Sequence, residues 1–152
     1  MRLVIQRVLS ASISIDGGPK ESMGEGLVVF FASSLDDGLP SDEAINKLAS
    51  KTAKMRIFND GDGKMNLSAE QLGFGIMAVP NFTLFAETAR GNRPSFSGSG
   101  ERQHALDAFE RYCEELERYP LARFIKGKFG SDMKVELINN GPVTIIVDTK
   151  DW

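Results

Sequence analysis

Met133-Lys134-Val135-Glu136-Leu137-Ile138-Asn139-Asn140-Gly141-Pro142-Val143-Thr144-Ile145-Ile146-Val147 is a pair of apolar runs meeting at a turn-forming centre. Asn-Gly between such runs is the strongest short-range hairpin signal, so these residues alone predict two strands joined at Asn140-Gly141. The centre has a second reading. Gly141 has no Cβ, and Pro142 fixes its own φ and lacks an N–H, so the dipeptide can bring bare backbone carbonyls close to a ligand. A wall of backbone reads shape and chirality instead of side-chain chemistry. Pro80-Asn81-Phe82-Thr83-Leu84-Phe85-Ala86 is the upstream segment to be read with it.

Outward from this stretch the pattern alternates between a two-residue and a helical period, which predicts a mixed α+β fold. Leu3, Ile5 and Val8, then Ala11, Ile13 and Ile15, read as two strands, with a turn at Asp16-Gly17-Gly18-Pro19. Leu27-Val28-Val29-Phe30-Phe31 is continuously apolar, as in a strand buried on both faces at the centre of a sheet. Ser41 can cap a helix whose apolar face carries Ile45, Leu48, Thr52 and Met55, with Lys47, Lys51 and Lys54 opposite as a solvated face. A second helix is predicted from about Gly100 to Tyr119, burying Ala105, Leu106, Phe109, Tyr112, Cys113 and Leu116. Ile76 to Phe85 supplies a further strand, and Ser95 to Gly100 a loop. The expectation is a single compact domain over residues 1–152: a mainly antiparallel sheet packed with two helices.

The 152 residues are 41% hydrophobic, enough for one core. No apolar stretch is long enough to span a bilayer, and Met1 to Arg7 alternates instead of forming a signal peptide, so a cytoplasmic protein is expected. One cysteine and one histidine build neither a disulfide nor a zinc site of the usual kind, so no metal and no cofactor is expected. A net charge of −3 argues against a general nucleic-acid coat and leaves room for a local basic surface. Catalytic side chains are scarce. At about 100° per residue His104 falls about 140° from the centre of the second helix's apolar face, away from Cys113, so the two form no catalytic pair. Asn59-Asp60-Gly61-Asp62-Gly63 lacks the closing glutamate of a calcium loop and reads as a turn. Serine-hydrolase and Walker signatures are absent. If this is an enzyme, backbone groups or the substrate must supply its chemistry.

The order and spacing of several motifs resemble the D-aminoacyl-tRNA deacylase family. These are Gln6-Arg7-Val8, Arg56-Ile57-Phe58, Gly63-Lys64-Met65-Asn66-Leu67, Phe82-Thr83-Leu84, Arg93-Pro94-Ser95-Phe96, Gly127-Lys128-Phe129-Gly130, Asp132-Met133-Lys134-Val135 and Asn139 to Thr144. The resemblance implies a homodimer with sites at the subunit interface, each entered by the other subunit's Gly141-Pro142 in the cis form. It implies hydrolysis of the ester between a D-amino acid and the terminal adenosine of tRNA, a step of translation quality control. In that light the backbone N–H groups near Phe82 and Thr83 would stabilise the oxyanion, and the ribose 2′-hydroxyl would help activate water. Thr83 has no evident partner to activate it as a nucleophile, and its β-branched side chain also suits a strand. Gly141 and Pro142 would exclude L side chains, braced by Arg7, while Phe129 and Met133 would line the adenosine pocket. Arg90, Arg93, Arg123, Lys126, Lys128 and Lys134 would supply a tRNA-binding surface.

The chain departs from most members at Pro80-Asn81, where Ser-Gln is usual. Proline removes a hydroxyl and an N–H, and asparagine is one methylene shorter, so the substrate-binding contacts there are expected to loosen for small substrates such as glycyl-tRNA. A proline there also resembles the related animal deacylases that act on L-alanyl-tRNA, although those carry alanine where this chain has Phe82. Two alternatives stay open: a proofreading deacylase of relaxed chirality, and a non-catalytic dimeric RNA-binding module.

Overall fold

Period-two alternation in the first fifteen residues is interrupted on both sides of Val8, and that interruption organises the sheet. The computed structural model describes residues 1–152. Its elements in chain order are β1 (Arg2–Ile15), β2 (Glu21–Met23), β3 (Gly26–Ala32), α1 (Asp42–Ala53), β4 (Phe58–Asn59), β5 (Met65–Leu67), α2 (Ala69–Leu72), β6 (Gly75–Pro80), α3 (Arg102–Glu117), β7 (Phe124–Lys126) and β8 (Met133–Asp148). The first fifteen residues form one strand, not two. Leu3 and Ile5 belong to the cluster beneath the helices, whereas Val8, Ala11 and Ile13 belong to a second cluster on the sheet's other side. Register shifts between Gln6 and Ser10 separate the two sets. A strand's side chains alternate with a strict period of two, so an irregularity in the ladder moves the apolar set to the opposite face without ending the strand.

The predicted hairpin at Asn140-Gly141 is likewise a single strand. Val135 and Leu137 pack on the second cluster and Val143 and Val147 in the first, while both halves of β8 pair antiparallel with β1. Between the pairs Val8–Asn139 and Gln6–Thr144, β1 contributes only Arg7 while β8 contributes Asn140 through Val143. Gly141-Pro142 therefore protrudes from a bulge in the middle of an edge strand. Asn139 ties the bulge's base, its Oδ1 accepting from the Val143 N–H at 3.0 Å.

β3 lies at the sheet's centre and is buried on both faces as expected, in the order β2-β1-β3-β6-β7 with β8 on β1. The pairs β3–β6 and β6–β7 are parallel, which the expectation of a mainly antiparallel sheet did not include. Parallel strands need crossover connections, and here the stretches containing α1 and α3 provide them. Gly26 and Gly75 meet where β3 and β6 begin, and a Cβ on Gly26 would stand 1.9 Å from the Gly75 carbonyl oxygen.

Ser41 caps α1 by accepting from the Ala44 N–H at 3.2 Å. α1 and α3 bury Ile45, Leu48, Phe109, Tyr112 and Leu116 against Phe31, whose ring stacks 5.1 Å from that of Tyr112. A third, single-turn helix, α2, completes the set where two were expected; Ser68 and Gln71 close it with a capping box. The whole is a single α+β domain. No helix is long and apolar enough to cross a membrane.

Cys113 is buried in this core, and burial pushes its thiol pKa far up, so it remains an unreactive thiol. A thiol-reactive disulfide reagent should leave the folded chain unlabelled and modify one thiol per chain once denaturant unfolds it; rapid labelling of the folded chain would contradict this packing.

Candidate active site

Parallel strands gather their carboxyl ends on one side of a sheet, and open sheets place ligands there. β3, β6 and β7 do so, and a pocket of about 610 Å³ lies beyond those ends. Phe30, Val79 and Pro80 come from the strand ends, Asn81 and Phe82 from the chain leaving β6, Phe129 from the stretch joining β7 to β8, and Met133 from the start of β8. Backbone packing sets the floor. A Cβ on Gly127 would lie 2.9 Å from Pro80 Cδ and 3.1 Å from Met133 Sδ, so glycine lets the β7 exit pass close beneath these walls.

Phe82 to Phe85 is a 3-10 turn and not the strand end that alternation suggested, so strand propensity does not explain Thr83. Asn81 anchors the turn: its N–H donates to the Phe31 carbonyl at 2.7 Å, and its carbonyl accepts from the Leu84 N–H at 3.2 Å. The N–H groups of Phe82 and Thr83 open the turn and donate to nothing within the chain, as the first donors of a helical turn commonly do. Thr83 Oγ1 donates to Asn81 Oδ1 at 2.6 Å, and no imidazole or amine contacts it. The lone His104 sits on α3, 3.5 Å from Glu101. Phe82 is 51% exposed, its ring edge-on to Phe96 at 5.2 Å, and its carbonyl accepts from the Ser99 hydroxyl at 3.0 Å. The site thus offers free backbone donors and an apolar pocket without an activated nucleophile.

Arg7 is 6% exposed and sits at the base of the β8 bulge. Its Nε donates to the Asn140 carbonyl at 3.0 Å, and Nη1 to the Ile57 carbonyl at 2.6 Å and Asn59 Oδ1 at 3.4 Å. A planar guanidinium can span three acceptors that a lysine ammonium could not hold at once. The Gly141-Pro142 bond is cis, and Gly141 has φ 137°, a region that favours glycine. The dipeptide is exposed and does not line its own chain's pocket. Gly141 lies eight residues beyond Met133, about 25 Å along an extended strand.

The basic candidates divide. Arg90 and Arg93 stand exposed in the loop after the 3-10 turn without ion pairs. Lys126 is paired with Glu110 at 2.7 Å, Lys128 with Asp16 at 3.6 Å, Arg123 with Glu21 at 2.9 Å and Lys134 with Asp132 at 2.9 Å, so each is already balanced by a carboxylate. Arg102 was not anticipated. It lines the pocket, with Nη2 3.1 Å from where a Cβ on Gly130 would stand, and has no carboxylate partner. A signal was present: a cation at the first position of α3 opposes the helix dipole, which favours anions there.

Comparison with known proteins agrees with this architecture. The family model described as D-Tyr-tRNA(Tyr) deacylase matches residues 4–148. A D-aminoacyl-tRNA deacylase of Bacteroides thetaiotaomicron is 42% identical over 151 residues, 99% of each chain. One from Akkermansia muciniphila is 43% identical over 150 residues, covering 99% of this chain and 98% of the relative. Among solved structures, a c-Myc DNA Unwinding Element Binding Protein superposes with a TM-score of 0.86 at 31% identity, covering 98% of this chain and 99% of that one. A probable eukaryotic D-amino acid tRNA deacylase superposes with a TM-score of 0.81 at 19% identity, 96% of this chain and 97% of that one, a likeness of fold. With a match running from the first strand to the last, this chain belongs to the D-aminoacyl-tRNA deacylase family, hydrolases that act on the ester bond of aminoacyl-tRNA.

Proposed function

We propose that the chain hydrolyses D-aminoacyl-tRNA, and glycyl-tRNA with it, in the cytoplasm as a homodimer in which each pocket is completed by the other copy's Gly141-Pro142. The observation that carries this reading is the unused N–H of Phe82, which lines a pocket without an activated side-chain nucleophile, with the unused Thr83 N–H next to it on the 3-10 turn just outside the lining. The adenine of the terminal nucleotide would lie between Phe129 and Met133, with Pro80 and Asn81 beside it and Arg102 near the adjoining phosphate. Water adds to the ester carbonyl as its proton passes to the 2′-hydroxyl, which gives up its own proton to the ribose 3′-oxygen; the carbonyl oxygen becomes an oxyanion held by the two N–H groups, and its collapse breaks the ester bond to release the 3′-hydroxyl and the free amino acid. One such donor is worth about 2.7–4 kcal/mol where it has been removed in other enzymes. The 2′-hydroxyl beside the ester helps to activate the water.

A second copy is invoked because the dipeptide and the pocket lie on different parts of one chain, while Ile138 and Ile146 flank the bulge 57% and 67% exposed. Rigid carbonyls at Gly141 and Pro142 would occupy the space an L side chain needs, leave the D side chain outward, and admit glycine. At Pro80-Asn81 the backbone remains held through the Asn81 N–H, and Asn81 supports Thr83, which favours the chirally selective reading over the relaxed one.

Release of amino acid from matched D- and L-tyrosyl- and alanyl-tRNAs tests the proposal. The D forms should be hydrolysed at least about 100-fold faster, glycyl-tRNA appreciably, L-alanyl-tRNA weakly, and sedimentation at assay concentration should give a dimer. Equal rates for both hands would mean relaxed proofreading, no release would mean an RNA-binding module, and an active monomer would remove the two-copy site.

A further inference from the structure

The exposed face of α1 carries a basic groove outside the pocket. Lys47, Lys51 and Lys54 follow one another at one-turn spacing and, with Ser50 and Met55, line a depression of about 470 Å³. The Lys47 ammonium lies 4.4 Å and that of Lys51 5.7 Å from the centre of the Trp152 ring, and Lys54 lies 5.8 Å from that of Tyr119. An aromatic face holds an ammonium without neutralising it. Lys20, Lys126, Lys128, Lys134 and Lys150 all have carboxylate partners, whereas these three, like the isolated Lys64, have none in a chain of net charge −3. Glu43, one turn before Lys47, and Asp151, next to Trp152 in the chain, make no ion pair with them, and Asp42 is taken by Arg111. The helix dipole accounts for a cation in the last turn of α1. It does not account for three cations converging on one groove against two rings.

We propose that this groove binds the sugar–phosphate backbone of the double-stranded acceptor stem of the substrate tRNA, an inference that rests on the proposed function. Lysines suit phosphates as compact point charges, and shape-directed contact with backbone is how proteins hold A-form stems. Met55 is the one apolar residue lining the depression, and the Trp152 ring beside it is faced by two ammonium groups, so there is no continuous apolar face of the kind a membrane or an amphipathic peptide needs. Position agrees: Met55 leads through Arg56 to Ile57, whose carbonyl accepts from Arg7 at the base of the Gly141-Pro142 bulge. One end of the groove is therefore two residues along the chain from the base of the bulge, within reach of a stem that runs from a terminal nucleotide seated in the other copy's pocket.

The test replaces Lys47, Lys51 and Lys54 together by glutamine and measures affinity for uncharged tRNA between 50 and 200 mM salt, alongside hydrolysis of D-alanyl-tRNA and of a D-alanyl ester of adenosine that has no stem. Three lost phosphate contacts should lower the salt slope by about 2.1–2.7, making the affinity loss across this fourfold range about 20- to 40-fold smaller than in the unmodified chain. Hydrolysis of the adenosine ester should be unchanged, which also certifies the variant's fold. An unchanged slope overturns the proposal. So does binding to phosphatidylserine vesicles that the variant loses while its tRNA slope stays the same, since a membrane would then be the occupant. If the unmodified chain hydrolyses neither substrate, the proposed function fails by itself, and the slope still reports on the groove.

Discussion

A tRNA charged with D-alanine through a terminal 2′-deoxyadenosine is expected to be hydrolysed about 10³-fold more slowly than its ribose counterpart, while Thr83→Ala costs less than about tenfold. The deoxy substrate loses a group positioned to assist proton transfer, and such assistance typically contributes about 10²–10⁴-fold. Thr83 is placed otherwise. Its hydroxyl hydrogen is committed to Asn81 Oδ1 at 2.6 Å, and no base is present to take it. Alanine at position 83 keeps the backbone N–H proposed as an oxyanion donor, so the main loss is one hydrogen bond that steadies the 3-10 turn, worth about 0.5–1.5 kcal/mol. Single-turnover release of amino acid from both substrates by both proteins measures the two effects together. A collapse of the mutant by orders of magnitude, with the deoxy substrate cleaved normally, would make Thr83 the nucleophile.

Gly141→Ala should lower kcat/KM for D-aminoacyl-tRNA by about 100-fold and shrink the ratio of D to L rates at least tenfold. The added Cβ would stand 2.8 Å from Val143 Cγ2, 2.9 Å from the Val143 nitrogen and 3.2 Å from Arg7 Nη2, at a φ of 137° that L residues rarely adopt. Backbone atoms cannot yield as the end of a flexible side chain does, so the bulge must move and carry the proposed carbonyl wall with it. Holding a non-glycine residue in such a region costs about 1–3 kcal/mol, a loss that a melting experiment reads independently. Rates that fall equally for both hands would separate the dipeptide from chirality, and an unchanged ratio would remove it from selection.

Much of this molecule is legible in its residues, and what is not has definite physical causes. The capped helix at Ser41, the buried strand through Phe30 and the stripe on α3 follow from local patterns. Even there Leu106 is only half-buried beside Ala105 and Phe109, because it lies at the edge of the stripe. The strands β1 and β8 misread for one shared reason. A bulge that swaps faces breaks a period of two just as a turn does, and only the partner strand distinguishes them. Parallel pairing of β3 with β6 is invisible locally because it joins segments about fifty residues apart. The 3-10 turn at Phe82 was hidden by apolar residues that continue the pattern of β6. Pocket residues were legible where motifs mark them, as at Phe129 and Met133. Ser99 and Gly100 arrive from a loop, and Arg102 from the start of α3 just beyond it, along a path that depends on the bridge of Ser99 to Ser34 and so on the tertiary fold.

The ladder between β1 and β8 also governs how this chain can be made. Each β1 residue from Arg2 to Ile15 that pairs with β8 finds its partner more than a hundred positions later. At ribosomal speeds of about 5–20 residues per second, the first strand waits for about 6–30 s before its neighbour has been synthesised. During that interval the edge later covered by β8 has no native partner, and Arg7 has no Asn140 carbonyl to grip. The brace and the bulge it supports are therefore among the last structures to form on a nascent chain. A ribosome that stalls short of residue 139 leaves an open-edged fragment that chaperones and proteases can recognise, not a half-working hydrolase.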